Sequence, residues 1–294
     1  MVSHRHGRFE RALEAAREKL SLDTQSRDEL GIATAWGLIA DVFQSRGMFD
    51  EAIAIRTEQQ IPILDKLGDT KERAIGLFHV AHILQLREEY EGALEILKKE
   101  LLPSFEAIQD VRARAVTLGR IADILQAQED LDASLKIRQT EELPIYEMLG
   151  ESGAVAITKY KIATILNARG EPEKALEILR KQKPLIEALG EMRELAVCLG
   201  RIAESLYSLG RLDEAIQTRQ TEQIPILQRL GSIYDLVFAQ ESLALLYLER
   251  QEPEDREEAG ELLRRSLESA ERLKLPAADR IRSHLVQHGF SPAT

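Results

Sequence analysis

The sequence predicts an all-α solenoid of antiparallel helical hairpins. Three observations carry this. An apolar–small pair returns along the chain at Ile39-Ala40, Val80-Ala81, Ile121-Ala122, Ile162-Ala163, Ile202-Ala203 and Leu243-Ala244, so successive alanines stand 41, 41, 41, 40 and 41 residues apart. About twelve positions later a second small residue follows, as Ala52 follows Ala40. Between the two lies a turn, marked by glycine at 47, 170 and 210. A period this regular belongs to an array in which each unit packs on its neighbours.

Composition agrees. The 294 residues are 44% apolar but only 5% aromatic, which suits many small aliphatic contacts between helices. Charged residues make up 30%, and the formal net charge is −11. Such a surface repels a phosphate backbone, so no nucleic-acid partner is expected. No run approaches the roughly 18 apolar residues of a membrane span, and MVSHRHG lacks the apolar stretch of a signal peptide, so no membrane partner is expected. The single cysteine, Cys198, sits in a helical apolar pattern and reads as a small buried hydrophobe. One cysteine fits a reducing cytoplasm.

The chain reads as one helical-repeat domain over residues 1–294. Residues 8–35 form a half-repeat and the start of the first unit, 36–273 hold about six hairpins, and 274–294 a capping helix. Residues 8–20, RFERALEAAREKL, are amphipathic. The preceding GRFERAL is similar to GMFDEAI at 47–53 and GRLDEAI at 210–216, which open second helices. The chain thus begins in mid-repeat. A native half-repeat cap and a cut from a longer chain are both open.

In the second hairpin Asp69 reads as an N-cap, the first helix runs to about Arg87, and the next starts near Tyr90. Leu67-Gly68, Leu149-Gly150, Leu189-Gly190 and Leu230-Gly231 read as helix stops. Proline at 62, 103, 144, 184 and 225 interrupts five second helices. An interior proline loses a hydrogen bond and clashes with the preceding turn, so a kink is expected at each, with a break into two short helices as the alternative. The last unit is irregular at QEPEDREEAG, and AADRIRSHLVQHG after Pro276 reads as a closing helix and a true end.

The spacing of Trp36, Ile39, Ala40 and Phe43, with Ala52 on the next helix, resembles the tetratricopeptide repeat. The units are longer than in that family. Four residues after the second small position, where the family has an aromatic, stand Arg56, Leu97, Arg138, Leu179 and Arg219. Long units of this kind resemble the sensor arms of bacterial signal-transducing ATPases and maltose-type activators, and the kinesin light chain repeats. The resemblance implies a right-handed superhelix whose first helices line a concave groove. It implies a groove that binds a protein segment or, in some regulator arms, a small molecule.

No phosphate loop or dinucleotide-binding glycine pattern is present, and no nucleophile is paired with a base, so no enzyme is expected. His79 with His82 and His284 with His288 are spaced to share a helix face, but nothing near them in sequence completes a metal set. No metal or cofactor is expected.

Three polar columns fall on one stripe of the first helices. Two before the reference alanine lie His79, Arg120, Lys161 and Arg201. One after it lie Asp41, His82, Asp123, Thr164 and Glu204. Four after it lie Gln44, Gln85, Gln126, Asn167 and Tyr207. They form either a solvated face or a groove whose amide and guanidinium groups receive a peptide; the groove candidates are Gln44, Gln85, Arg120, Asp123, Gln126, Lys161, Asn167, Arg201, Glu204 and Tyr207.

The units also alternate. Hairpins one, three and five pair an arginine (56, 138, 219) with a glycine (37, 119, 200) and an acid (Asp41, Asp123, Glu204). Hairpins two and four have Leu97 with Phe78 and Leu179 with Tyr160 instead. The expectation is that each missing side chain opens a channel through which the guanidinium reaches the carboxylate. The ion pairs Arg56–Asp41, Arg138–Asp123 and Arg219–Glu204 then staple alternate hairpins, or hold arginines ready for an acidic partner.

Overall fold

A computed structural model describes residues 2–291, with side chains from Phe9 onward. Every regular element among the described residues is helical. The chain divides into two compact bodies, residues 1–151 and 152–294.

In the N-terminal body, α1 (Val2–Ser26) packs on α2 (Glu29–Ser45). Then comes α3, which is α-helical over Phe49–Ile55, π-helical over Arg56–Gln60 and α-helical again over Ile61–Leu67. Next are α4 (Thr70–Leu86) and α5 (Tyr90–Glu95, π over Ile96–Leu101, then Leu102–Ala107). The body closes with α6 (Val111–Ala127) and α7 (Leu131–Ile137, π over Arg138–Glu142, then Leu143–Leu149). Each first helix packs antiparallel against the second helix that follows it, and α4 and α6 also touch the second helix before them.

In the C-terminal body the same hairpins are α8 (Ser152–Ala168) with α9 (Pro172–Leu189), and α10 (Met192–Ser208) with α11 (Leu212–Gln217, π over Thr218–Gln223, then Ile224–Leu230). α12 (Ile233–Arg250) pairs with α13 (Asp255–Leu273), and α14 (Ala277–Gln287) packs on α13.

The small residues are where the helices meet. Ala40, Ala122, Ala163, Ala203 and Ala244 on the first helices are fully buried, and so are Ala52, Ala93, Ala175, Ala215 and Ala259 on the second helices. A methyl side chain leaves no room for solvent and lets the backbones approach; overpacking such a site costs about 1–3 kcal/mol. In the third hairpin the second small residue is Ser134, whose hydroxyl donates to the Ala122 carbonyl at 2.7 Å. Larger side chains fill the gaps on either side, as Leu97, Leu101, Phe105, Ile121 and Ile124 do around α5.

Helix ends are set by side chains with a local reason to stop. Asp28, Asp69, Asp110 and Asp130 each accept a hydrogen bond from the backbone N–H three residues on. Gly68, Gly150, Gly190 and Gly231 close the second helices in the left-handed region that a β-carbon disfavours.

The prolines do not break the second helices. Residues on both sides of the junctions in α3, α5, α7 and α11 keep right-handed helical angles, and the helix widens instead. The N–H before each proline reaches back five residues: Ile61 to Arg56, Leu102 to Leu97, Leu143 to Arg138, Ile224 to Arg219. A π turn loosens the spiral where proline cannot donate and its ring would strike the preceding carbonyl. The expectation of a kink misses this form of relief. α9 is the exception, carrying Pro184 inside a helix with no π turn.

Candidate interaction face

The three polar columns lie on the first helices, mostly half-buried, and the structure joins several of them across hairpins. In the N-terminal body Gln44 Nε2 stands 3.3 Å from His82 Nδ1, and Arg120 Nη1 donates to Gln85 Oε1 at 3.3 Å. The Arg120 guanidinium also lies over the Phe78 ring, 5.6 Å from its centre. In the C-terminal body Asn167 Nδ2 donates to Ser205 Oγ at 3.0 Å, and Tyr207 donates to Glu249 at 2.7 Å. Arg201 Nη1 donates to Glu204 Oε2 at 2.8 Å. Gln126 and Lys161 are half-buried on α6 and α8, and Asp123 is engaged by Arg138. Burial lowers both His79 and His82; Arg56 lowers His79 further while Asp41 opposes, and Arg120 lowers His82 further. Among the described residues no cluster of three histidine, cysteine or acidic side chains could hold a metal ion.

Beneath this face lie the three arginines. Arg138 is fully buried, Arg56 is 2% exposed and Arg219 6%. Nη2 of Arg56 bonds Asp41, and Nη2 of Arg138 bonds Asp123. Nη1 of each arginine bonds a residue four positions on: Arg56 to Gln60 Oε1 at 2.8 Å, Arg138 to Glu142 Oε2 at 2.8 Å, Arg219 to Gln223 Oε1 at 2.9 Å. Nε of Arg56 and of Arg138 is buried without a hydrogen-bond partner.

The glycines serve a different neighbour from the one expected. A β-carbon on Gly37 would come within 2.6 Å of Gln60, on Gly119 within 2.7 Å of Glu142, and on Gly200 within 2.5 Å of Gln223. The space belongs to the side chain that orients the guanidinium, not to the guanidinium itself. Gln60, Glu142 and Gln223 are the residues that sequence reasoning missed. Their signal was present in RTEQQ, RQTEE and RQTEQ as an amide or acid four residues after arginine, on the same helix face.

The third arginine is held differently. Glu204 turns toward Arg201, and its other oxygen stands 3.8 Å from Arg219 Nη2, too far for a hydrogen bond. Burial is the largest influence on Arg219 and pushes its guanidinium down; Glu204 offsets part of this, and Arg201 adds repulsion. Beside it opens a cavity of about 180 Å³ lined by Ala196, Gly200, Arg201, Gln223, Phe238 and Ser242 among others. A second cavity of about 240 Å³ adjoins it, lined by Tyr207, Leu245 and Glu249, and the two share Glu204, Arg219 and Ser242.

No protein-family model matches the chain, and no curated protein does. Solved structures do. A signal-transduction ATPase with a tetratricopeptide repeat sensor from Pyrococcus horikoshii superposes with a TM-score of 0.70 at 18% identity, over 94% of this chain and 41% of that one. This chain therefore spans less than half of that protein. Aspartyl phosphate phosphatase F from Bacillus subtilis gives 0.66 at 12% identity, covering 92% of this chain and 74% of that one. A Rap protein complexed with competence and sporulation factor gives 0.57 at 15% identity, covering 95% and 85%. At these identities the likeness is one of fold: the chain is an all-α array of tetratricopeptide-like helical hairpins.

Proposed function

We propose that the chain is a non-enzymatic interaction module that binds a protein or peptide segment along the exposed face of its first helices. The observation that carries this is the polar ladder. Gln44–His82, Gln85–Arg120 and Asn167–Ser205 fix amide and guanidinium groups across neighbouring hairpins. Groups held in place lose little freedom on binding, and amide and guanidinium donors suit peptide carbonyls and carboxylates. No helix among the described residues is long and apolar enough to cross a membrane, and we expect the module to work in the cytoplasm without cofactor or nucleic acid. One solved structure of this fold is of a Rap protein in complex with a factor, which supports the reading by analogy of fold alone.

The test is to pan a displayed library of peptide segments on the full chain. Selected binders are expected to lose roughly tenfold in affinity when Arg120→Glu or Arg201→Glu reverses a charge. Binders indifferent to both changes would place recognition elsewhere and sink the proposal. A second reading, a sensor arm of a larger regulator, is favoured by the superposition of this chain on part of a signal-transduction ATPase. It is tested by sequencing the flanking coding region for an ATPase module.

A further inference from the structure

Three arginines occupy equivalent places in three hairpins, and two of them are sealed. Arg56 and Arg138 bond their acids directly. Near Arg56 lies His79 of the next hairpin, its Nδ1 3.8 Å from Asp41, and the charge of Arg56 adds to burial in disfavouring the protonated ring. The residue equivalent to His79 in the hairpin after Arg219 is Ser242, since both stand two before their reference alanine. Where an imidazole ring stands near Arg56, a hydroxymethyl group lines the open space beside Arg219.

That space has a defined chemistry. One wall is the guanidinium of Arg219, with Nη1 anchored on Gln223 and Nη2 aimed at a carboxylate it does not reach. Ala196, Val197, Leu227, Phe238 and Ala239 form its apolar walls, and Arg201, Gln223 and Ser242 add polar ones. A volume of about 180 Å³ is several times the roughly 30 Å³ share of one water molecule, enough for a carboxylate and a short apolar stem. Two acids also border it, and both are engaged: Asp235 accepts from the Ser232 hydroxyl, and Glu204 accepts from Arg201. Glu204 lines both cavities, with one carboxylate oxygen on Arg201 and the other facing Arg219.

We propose that Arg219 is a receptor for a carboxylate on an apolar residue of the partner, and that Glu204 is the internal group this carboxylate replaces. The ligand bonds Nη2 of Arg219 while Glu204 stays on Arg201, so every charge ends paired. Arg56 and Arg138 remain structural. This deepens the interaction reading given above and rests on it. The carboxylate is either a chain terminus or an aspartate or glutamate side chain.

The experiment titrates the full ¹⁵N-labelled chain with N-acetyl-Ala-Leu, its C-terminal amide, and N-acetyl-Ala-Asp amide, following the Nε–H signal of Arg219. A saturable shift with the free acid is expected, roughly tenfold or more weaker with the leucine amide, the scale of one charge-assisted hydrogen bond. A response to the aspartate amide identifies a side-chain carboxylate as the preferred source, and none identifies a chain terminus. Replacing Arg219 could unfold the hairpin, so the deciding variant is Ser242→His. It places there the ring that stands near Arg56 and is expected to abolish the shift with the thermal midpoint unchanged. Equal response to acid and amide, an undiminished response in Ser242→His, or no response to any acid would overturn the inference. Library binders that engage the array while Arg219 stays silent would leave the interaction reading standing and remove this one.

Discussion

Nη1 of Arg138 donates to Oε2 of Glu142 at 2.8 Å with both side chains buried, and Nη2 of the same guanidinium bonds Asp123. A charge this deep is tolerable only while its partners stay. Hairpin two shows the apolar solution to the same site: Phe78, His82, Leu97 and Leu101 stand where hairpin three has Gly119, Asp123, Arg138 and Glu142. Arg138→Leu alone is expected to lose about 3–5 kcal/mol, because it leaves two carboxylates without their guanidinium. The fourfold change Gly119→Phe, Asp123→His, Arg138→Leu and Glu142→Leu should recover most of it. Urea unfolding of both variants decides this. A fourfold variant no more stable than the single one would mean that the two solutions are not interchangeable.

Gly119→Ala should weaken the same site without touching a charge. Its β-carbon would lie 2.7 Å from Glu142, which cannot retreat while Arg138 holds it. A loss of about 1–3 kcal/mol is expected from the forced repacking. Gly153→Ala is the control, since nothing lies within 4 Å of the added carbon. If both substitutions have the same effect on the urea midpoint, the contact with Glu142 is not what excludes a side chain at 119.

The turns offer a stabilising change. Glu129 holds a left-handed backbone at φ 63°, where Gly47, Gly170 and Gly210 serve in other hairpins. A β-carbon there costs about 1–2 kcal/mol, offset in part by the greater freedom that glycine brings to the unfolded chain. Glu129→Gly should therefore raise stability by up to about 1 kcal/mol, visible as a higher thermal midpoint. A lower midpoint would show that unfolded-chain entropy outweighs the strain.

Acid should destabilise the N-terminal body through its histidines. Burial lowers both His79 and His82 in the folded chain, so the unfolded chain binds more protons as pH falls through the ordinary histidine range near 6.5. Their contribution is present above that value and is lost progressively below it. His79→Gln should flatten the fall in stability between about pH 7 and pH 5. A pH profile that is the same in the variant would assign the fall to other groups.

Cys198 should be inert. Burial pushes its thiol up to about 12, and the sulfur faces the Leu179 carbonyl at 3.6 Å. Thiol reagents at about pH 8 should modify it only after denaturation. Rapid labelling of the native chain would mean that this helix pair opens readily.

What could be read from the residues, and what could not, divides along a physical line. Ala40, Ala52 and their copies announced the hairpins, because close approach admits only small side chains at fixed intervals. The pairing of Arg56 with Asp41 and of Arg138 with Asp123 was legible too, since alternation within one chain isolates residues that vary together. The use of the glycines was not legible. Which of two neighbours fills an absent side chain depends on rotamers, and Gln60 and Glu142 were free to point elsewhere until the guanidinium fixed them. The looser hold on Arg219 was also invisible, because it turns on which arginine Glu204 prefers and on the bulk of Ser242 in the next hairpin.

The π turns give the spacing of the array a second meaning. From the small residue of a second helix to its proline is ten positions in α3, α5, α7 and α11, as from Ala52 to Pro62, but nine in α9, from Ala175 to Pro184. The helix that is one residue short is the one with no π turn, and it produces the single 40-residue step among steps of 41. A π turn is an α-helix with one residue added, so the natural pitch of this array is forty and the extra residue is stored as a bulge. Insertions and deletions of one residue just before the proline should therefore interconvert the two forms while leaving the hairpins above and below in register. A helical array with such a slot can absorb a change in length that would rotate every later side chain of an ordinary helix by about 100°.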